Sequence, residues 1–538
     1  MSRAVLMVCV LWSAAAVAAD EWFVEVPGRL PGPVCWTEAV VIFDANDDGR
    51  LDCLMVNCDG WARPGDMAAD GDAPLAPTLL IQTGVEAGSP IFEDQTATLF
   101  PTDFTVHGKD AAVADLTGDG RLEIVFAAAF GNPPRLLRRG DDGKYREESE
   151  RLGELSLNAH GLGIGDLDGD GDLDIVFPDA GERSFRRPGG KARLLLNDGR
   201  GHFTDASAQL GAVEKIGAQN PKLIDLDHDF DLDIVLDGKS AETHVYWNDG
   251  NAHFTLATDV VPPAKGRPYE VEWADLDGDG DLDAVHMNFT GEGRRTYSNV
   301  PLRNELVETG KVTFTPILDG LEGNNAQDQN DLAFFDGDGD GNLDLFVAAL
   351  PSPPGPEKVF VSTGKLEKAS FKQRESAITP HDDSTLDADL ADFDGDGRLD
   401  LITVQGESRR RADFSNRYYR GTGAPDRRAP RVGRVSTPEK VSAEACRAGL
   451  AIIAWIQDDL VDDGGSPVDA MLVWQSSGGS VERVAMKPIG GGLHRAVLKN
   501  AGAATGRAWE VWVEAKDPAG NEGRSEKRTV RVVAPRVF

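Results

Sequence analysis

Residues 275–283 read DLDGDGDLD, five aspartates in nine positions. Carboxylates this close repel one another unless something positive sits among them. Calcium and similar hard cations take six to eight oxygen ligands and favour carboxylates and carbonyls. Asp275, Asp277 and Asp279 alternate, so their side chains fall on the inside of a tight loop. Gly278 and Gly280 permit the positive φ that such a loop needs. Asp281 is placed to offer its backbone carbonyl, and Asp283, ninth in the loop, to close the shell. The opening half follows the EF-hand pattern D-x-[DN]-x-[DN]-G. The second half departs from it, because the last acid falls at the ninth position and not the twelfth.

The motif occurs seven times, with starts 50 to 71 residues apart. Side-chain ligands are expected from the first, third, fifth and ninth positions of each copy. Loop 1 offers Asp44, Asn46, Asp48 and Asp52, and loop 2 offers Asp115, Thr117, Asp119 and Glu123. Loop 3 offers Asp166, Asp168, Asp170 and Asp174, and loop 4 offers Asp225, Asp227, Asp229 and Asp233. Loop 5 offers Asp275, Asp277, Asp279 and Asp283, and loop 6 offers Asp336, Asp338, Asp340 and Asp344. Loop 7 offers Asp392, Asp394, Asp396 and Asp400. Loops 1 and 2 carry three acids among these positions instead of four, and loop 4 has Phe230 where the others have glycine. These three are expected to bind most weakly, the last through backbone strain.

Such loops need elements that hold their two ends together. The flanks, such as VEWA (271–274) and AVHM (284–287), are short apolar runs without helical period or caps, so they read as strands. An EF-hand would need helices there. An aromatic residue precedes each loop: Phe23, Phe92, Tyr145, Phe203, Phe254, Phe314 and Phe371 lie 21 to 23 residues before the loop start. Between a loop and the next aromatic an Asn-Asp-Gly turn is frequent, a hairpin signal. Each unit therefore holds about four short antiparallel strands, as a propeller blade does. The residues two and four before each loop are apolar, as in Ile42 and Val40 or Trp273 and Val271. That suits an inner strand packed on the next blade. EWFVEV (21–26) matches the segment that begins at each aromatic, and the seventh unit lacks one after NRYYRGTG (416–423). The N-terminal strand is expected to complete the last blade and remove its open edge.

The loops and their hairpins resemble FG-GAP/VCBS repeats, the family of the integrin α-subunit propeller. Elements such as NDGRGHF (197–203) are similar to those of bacterial VCBS-repeat proteins and the cartilage acidic protein group. The resemblance covers residues 20–425. It implies an all-β fold, a seven-bladed β-propeller with calcium-binding hairpin loops and up to seven calcium ions. The family includes adhesins, receptors and a few enzymes, so the resemblance says less about activity.

The rest of the chain sets the context. Residues 1–19 read as a signal peptide: Arg3, an apolar stretch to Trp12, then small residues. The mature protein is then secreted, periplasmic or cell-surface associated, which agrees with calcium chemistry. The net charge of −35 argues against nucleic acid and anionic membranes as partners, and no further membrane span is read. The expected side-chain ligands account for 26 acids, against which seven calcium ions would return a charge of +14. Residues 426–440 are basic and contain proline, as a linker does. Residues 441–538 alternate apolar and polar runs with turns between them, the pattern of an immunoglobulin- or fibronectin III-like β-sandwich. Four cysteines follow the leader: Cys35, Cys53, Cys58 and Cys446. Export permits disulfides, and Cys35 with Cys58, which flank the first hairpin, is the preferred pair, with a zinc site as the alternative.

No metalloprotease, nucleophile-elbow or Walker motif is present. Arg139-Gly140-Asp141 spells an integrin-recognition tripeptide, which chance explains in a chain so rich in these residues. Five residues before the loops stand several acids, including Asp110, Glu270 and Asp331, with His160 nearby. A solvated rim is the plain reading of these four. The functional reading is a ligand face opposite the loops. The expected function is a non-enzymatic binding or adhesion module for an extracellular protein or glycan. The alternative is a propeller-based polysaccharide lyase, for which His160 and Asp110 are the only catalytic candidates.

Overall fold

The computed structural model describes residues 21–58, 74–181, 189–211, 217–238, 243–257, 259–263, 267–289, 299–323, 329–350, 356–381, 384–406, 415–461, 467–476, 479–499 and 508–533. The leader, residues 1–19, lies outside them. Each nine-residue loop joins the first two strands of an antiparallel sheet. In sheet 1 the strands are Thr37–Phe43, Asp52–Asn57, Thr78–Val85 and Pro90–Asp94, hydrogen-bonded in chain order. Sheet 4 repeats this with Asn220–Ile224, Asp233–Asp237, His244–Asn248 and Phe254–Ala257. The aromatic landmarks lie at or near the start of the fourth strands, where Phe92, Tyr145, Phe254, Phe314 and Phe371 are buried. Second strands such as Glu123–Ala128 and Asp400–Gln405 are buried throughout, which is why their apolar runs are unbroken.

Seven such sheets occur among the described residues. The last is completed by the N-terminal strand Phe23–Glu25, which pairs antiparallel with Arg417–Gly421 in the register Phe23↔Gly421 to Glu25↔Tyr419. Apolar clusters then join neighbouring sheets. Leu54, Val56 and Phe43 of sheet 1 pack with Ile124 and Phe126 of sheet 2. Phe335 and Phe346 of sheet 6 pack with Leu390 and Leu401 of sheet 7. Val40, Cys53 and Phe92 of sheet 1 meet Ile402, Val404 and Tyr418 of sheet 7, so the last sheet packs on the first.

The C-terminal module holds two further sheets. One contains Arg431–Val435, Leu450–Gln457, Lys487–Gly490 and Leu493–Leu498. The other contains Lys440–Ser442, Asp469–Ser476, Val481–Ala485, Ala508–Lys516 and Arg528–Val533. Ile452, Ala454 and Ile456 from the first meet Leu472, Val511 and Val513 from the second in one apolar core. The basic segment read as a linker thus supplies a strand at 431–435. The module sits against the loop ends of sheets 3 to 6. Trp455, Ile489 and Leu493 join the cluster built on Leu223, Leu226 and Leu232. Leu460 and Val461 extend sheet 6, pairing with Phe335 and Phe334.

Candidate metal loops and the axial cavity

The seven loops share one backbone conformation. The fourth position has positive φ in every copy, with glycine in loops 2, 3, 5, 6 and 7, Asp47 at 60° and His228 at 71°. The sixth position does so as well, glycine everywhere except Phe230 at 72°. The geometry expected from Gly278 and Gly280 therefore extends to copies that lack glycine, where a side chain holds a region it ordinarily avoids.

The first, third and fifth positions converge. In loops 3, 4, 5 and 6 one ligand atom from each of these three carboxylates lies within 4.8 Å of the others. Some of the oxygens at these positions are left unsatisfied by the protein: Asp115 Oδ1 in loop 2, and Asp225 Oδ1, Asp277 Oδ1 and Asp279 Oδ2, are buried and receive no hydrogen bond, whereas others, such as both oxygens of Asp336, accept loop amides. Burial pushes the first-position acids Asp166, Asp225 and Asp275 up to about 6, with neighbouring loop acids adding to the effect. Converging carboxylates with spare lone pairs fit a hard dication, which would restore them to the charged form.

The ninth-position acids have a structural part besides the ligand role expected of them. They form the floor of the loop, and backbone amides occupy their oxygens. Asp174 accepts from Leu167 N at 2.9 Å and from Asn197 N at 2.9 Å. Asp233 accepts from Leu226 N and Asn248 N, and Asp283 from Leu276 N and Asn304 N. Asp52, Asp344 and Asp400 repeat the pattern. The acid thus ties its loop to the third strand of the sheet. Burial raises Asp174 and Asp344 to about 8 and Asp233 to about 9. The side chain of Asp281 is also engaged: Oδ2 accepts from Val307 N at 2.9 Å at the short helix Leu306–Thr309.

Asp110, His160, Glu270 and Asp331 line one cavity of about 370 Å³ among the first strands of the sheets. Leu460 and Val461 lie across its loop-side end. The four residues are not equivalent. Asp331 accepts from Leu332 N at 2.8 Å and Ala388 N at 3.0 Å, so it staples sheet 6 to sheet 7. Asp387 staples sheet 7 to sheet 1 through Val40 N at 2.7 Å. His160 Nδ1 lies 3.1 Å from Gln219 Nε2, and Glu270 accepts from Asn220 Nδ2 at 3.3 Å. Sequence reasoning missed the two lysines here. Lys222 pairs with Glu272 at 2.6 Å and Glu270 at 3.5 Å, and Lys109 pairs with Glu38. Seven acids and two lysines line the cavity, so acids outnumber bases, and burial, with Asp387 and Glu270 adding to it, holds Asp331 well above the usual carboxylate range. A larger crevice, about 760 Å³, lies between the module and loops 1 and 7. It is lined largely by Trp22, Phe23, Phe335, Phe393 and loop backbone, and outside the loops Asp426, Asp458 and Asp459 come together along it, where burial, with the neighbouring acids adding, pushes Asp458 up to about 7 and Asp459 to about 8.

The surroundings of the RGD tripeptide and of the cysteines decide what each can do. Arg139 of the tripeptide is buried, its guanidinium 2.5 Å from Asp47 of loop 1, so it is not displayed for recognition. Cys58 N donates to Trp36 O at 2.9 Å, which brings the segments carrying Cys35 and Cys58 side by side. Their pairing stays a proposal. Cys53 and Cys446 are buried free thiols.

The chain carries FG-GAP-like repeats, matched at residues 115–177, 237–286 and 336–403. Among curated proteins it is similar to cartilage acidic protein 1 of Xenopus tropicalis, with 23% identity over 423 residues, covering 60% of this chain and 62% of that protein. The match therefore spans less than two thirds of that relative. Among solved structures it is similar to BBS1N in complex with ARL6DN, soaked with lead (TM-score 0.44, 10% identity, 76% of this chain and 99% of that one). It is also similar to a fructofuranosidase from Schwanniomyces occidentalis complexed with fructosylnystose (TM-score 0.27, 10% identity, 80% and 91%). Likeness at these scores carries no argument about activity.

Proposed function

We propose that this protein is an exported, calcium-stabilised, seven-bladed β-propeller with an immunoglobulin-like C-terminal module, acting as a non-enzymatic extracellular binding module. The observation that carries the calcium reading is the shared loop conformation. Seven copies hold positive φ at two positions, two of them without glycine at one or both, and carboxylates converge at the first, third and fifth positions. Asp166, Asp168 and Asp170, with their counterparts, would hold the ions. Bound calcium would supply the positive charge that the converging carboxylates lack. No helix among the described residues is long and apolar enough to cross a membrane.

The axial cavity is the proposed ligand site. Its acidic lining selects a basic group, such as an arginine- or lysine-bearing segment of a protein ligand. The same charge disfavours the lyase alternative, because an acidic polysaccharide would be repelled from the cavity holding His160 and Asp110. Binding to a basic-peptide array and a glycan array, run beside turnover assays on acidic polysaccharides, tests the reading. Retention of basic peptides, weakened about tenfold by Glu270→Gln or Asp110→Asn, is the expected result. Turnover that disappears in His160→Ala would replace this function with the enzymatic one.

A further inference from the structure

The seventh position of each loop divides the repeats into two groups. Loops 1, 2 and 7 carry arginine there: Arg50, Arg121 and Arg398. Arg50 and Arg398 turn back onto the fifth-position aspartate of their own loop, at 2.6 Å from Asp48 and 2.9 Å from Asp396, while in loop 2 Arg121 lies 3.7 Å from Asp119 and bonds Asp141 at 2.6 Å, and Arg138 holds Asp119 at 2.9 Å. Loops 3, 4, 5 and 6 have Asp172, Asp231, Asp281 and Asn342 instead. They lack the internal cation, and loops 3, 4 and 5 add a fifth acid.

The C-terminal module brings an arginine to each of these four loops. Arg428, Arg431 and Arg434, spaced three apart along one extended segment, reach the first aspartates of loops 6, 5 and 4 in turn. Arg428 Nε lies 3.6 Å from Asp336 Oδ2, Arg431 bonds Asp275 Oδ2, and Arg434 lies 2.9 Å from Asp225 Oδ2. Arg495, from the strand Leu493–Leu498, lies 4.0 Å from Asp166 Oδ2 in loop 3. The contacts repeat in detail. Arg495 and Arg428 each donate to the carbonyl of the fourth loop position, Gly169 at 3.3 Å and Gly339 at 3.4 Å. The guanidinium lies against the sixth position. A Cβ on Gly171 or Gly341 would collide with Arg495 or Arg428. In loop 4, where Phe230 replaces that glycine, Arg434 lies over both the Phe230 and Trp455 rings. The first aspartates of these four loops are buried, whereas Asp44, Asp115 and Asp392 of the other three are half-buried. The module also takes first-position amides, through Ile489 O, Gln457 Oε1 and Asp459 O in loops 3, 5 and 6.

We infer that each loop needs a guanidinium beside its carboxylates, and that the C-terminal module exists in part to supply those which loops 3 to 6 lack. The module's arginines are positioning residues of these cation sites. They hold the outer Oδ2 of the first aspartate, offset the repulsion among four or five acids, and keep the loop closed when no ion is bound. This rests on the calcium reading for what the loops bind, but the arginines' role shows in the metal-free protein as well.

The test uses the full chain at pH 8, with melting temperatures measured in chelator and in excess calcium. Arg428→Ala and Arg431→Ala are each expected to lower the melting temperature in chelator by about 2–4 °C, and by less in calcium. Two compensations then separate charge supply from simple docking. Asn342→Arg gives loop 6 the internal arginine of loops 1, 2 and 7, and should restore stability to Arg428→Ala. Asp281→Asn removes one charge from loop 5 while keeping an acceptor for Val307 N, and should restore Arg431→Ala. Restoration by either compensation supports the inference. Failure of both, or arginine variants as stable as wild type in chelator, overturns it. A wild-type protein that gains no stability from calcium would defeat the calcium reading and leave the chelator comparison intact.

Discussion

Asp174 shows how one residue of the repeat carries two demands. Its carboxylate closes the loop floor and accepts two buried backbone N–H groups, from Leu167 and Asn197. Asp174→Ala strands both donors, each worth about 1–3 kcal/mol. The expected loss is about 2–6 kcal/mol by urea unfolding in chelator, with Asp174→Asn recovering part of it through one oxygen. A loss under about 1 kcal/mol for the alanine variant would mean that the latch is dispensable. Asp237 gives a pH-dependent case away from the loops. It is fully buried, accepts from Val271 N at 3.0 Å, and burial pushes its carboxyl well above the usual range, with Glu272 adding to the rise and Lys222 opposing it. The folded chain then binds a proton that the unfolded chain has already released, so stability falls as pH rises above the ordinary carboxylate range. Asp237→Asn should therefore gain on wild type between pH 5 and pH 9 when denaturation curves are compared. An equal difference at both ends would contradict this origin.

At the scale of elements, completion of sheet 7 depends on three residues. Among the described residues, Phe23–Glu25 is the only partner of Arg417–Gly421 on that side of sheet 7, and Phe23 sits in the cluster with Phe335 and Leu401. Removing residues 21–26 would bare an edge that carries buried Tyr418 and Tyr419. The truncated protein should aggregate at concentrations where the full chain stays monodisperse by light scattering, and should regain solubility when a peptide of residues 21–26 is supplied. The pairing of Leu460 and Val461 with Phe335 and Phe334 is the second such dependence, because it closes the axial cavity at its loop-side end. A proline at Val461 should raise hydrogen exchange along Gln329–Phe335.

For the molecule as a whole, the acid count sets the response to metal removal. A site filled at a hundredfold over its dissociation constant contributes about 2.7 kcal/mol, and several such sites add up. Stripping calcium should therefore lower the melting temperature by more than about 10 °C. A melting curve unchanged after verified metal removal would sink the calcium reading. At limiting calcium, loops 1, 2 and 4 should empty first, as seen by anomalous scattering. The first two have fewer acids, and the third holds Phe230 at a φ of 72°.

Local spacing made much of this architecture legible before any coordinates. The alternating acids, the two glycines and the apolar flanks each act within a few residues, so loops, strands and unit boundaries followed from the sequence. So did the completion of the last sheet by the N-terminal strand, because an unpaired segment leaves a vacancy in a strict repeat. The arginine at the seventh position of loops 1, 2 and 7 was equally readable, and its absence elsewhere was the one clue to a missing partner. That partner came only with the tertiary structure. Arg434 and Asp225 are 209 residues apart, and no period or propensity links them. The staple made by Asp331, the lysines inside the axial cavity and the strand at Leu460–Val461 were hidden for the same reason. A side chain's type and spacing determine what it can do. Which of several partners it meets is decided by how distant sheets pack.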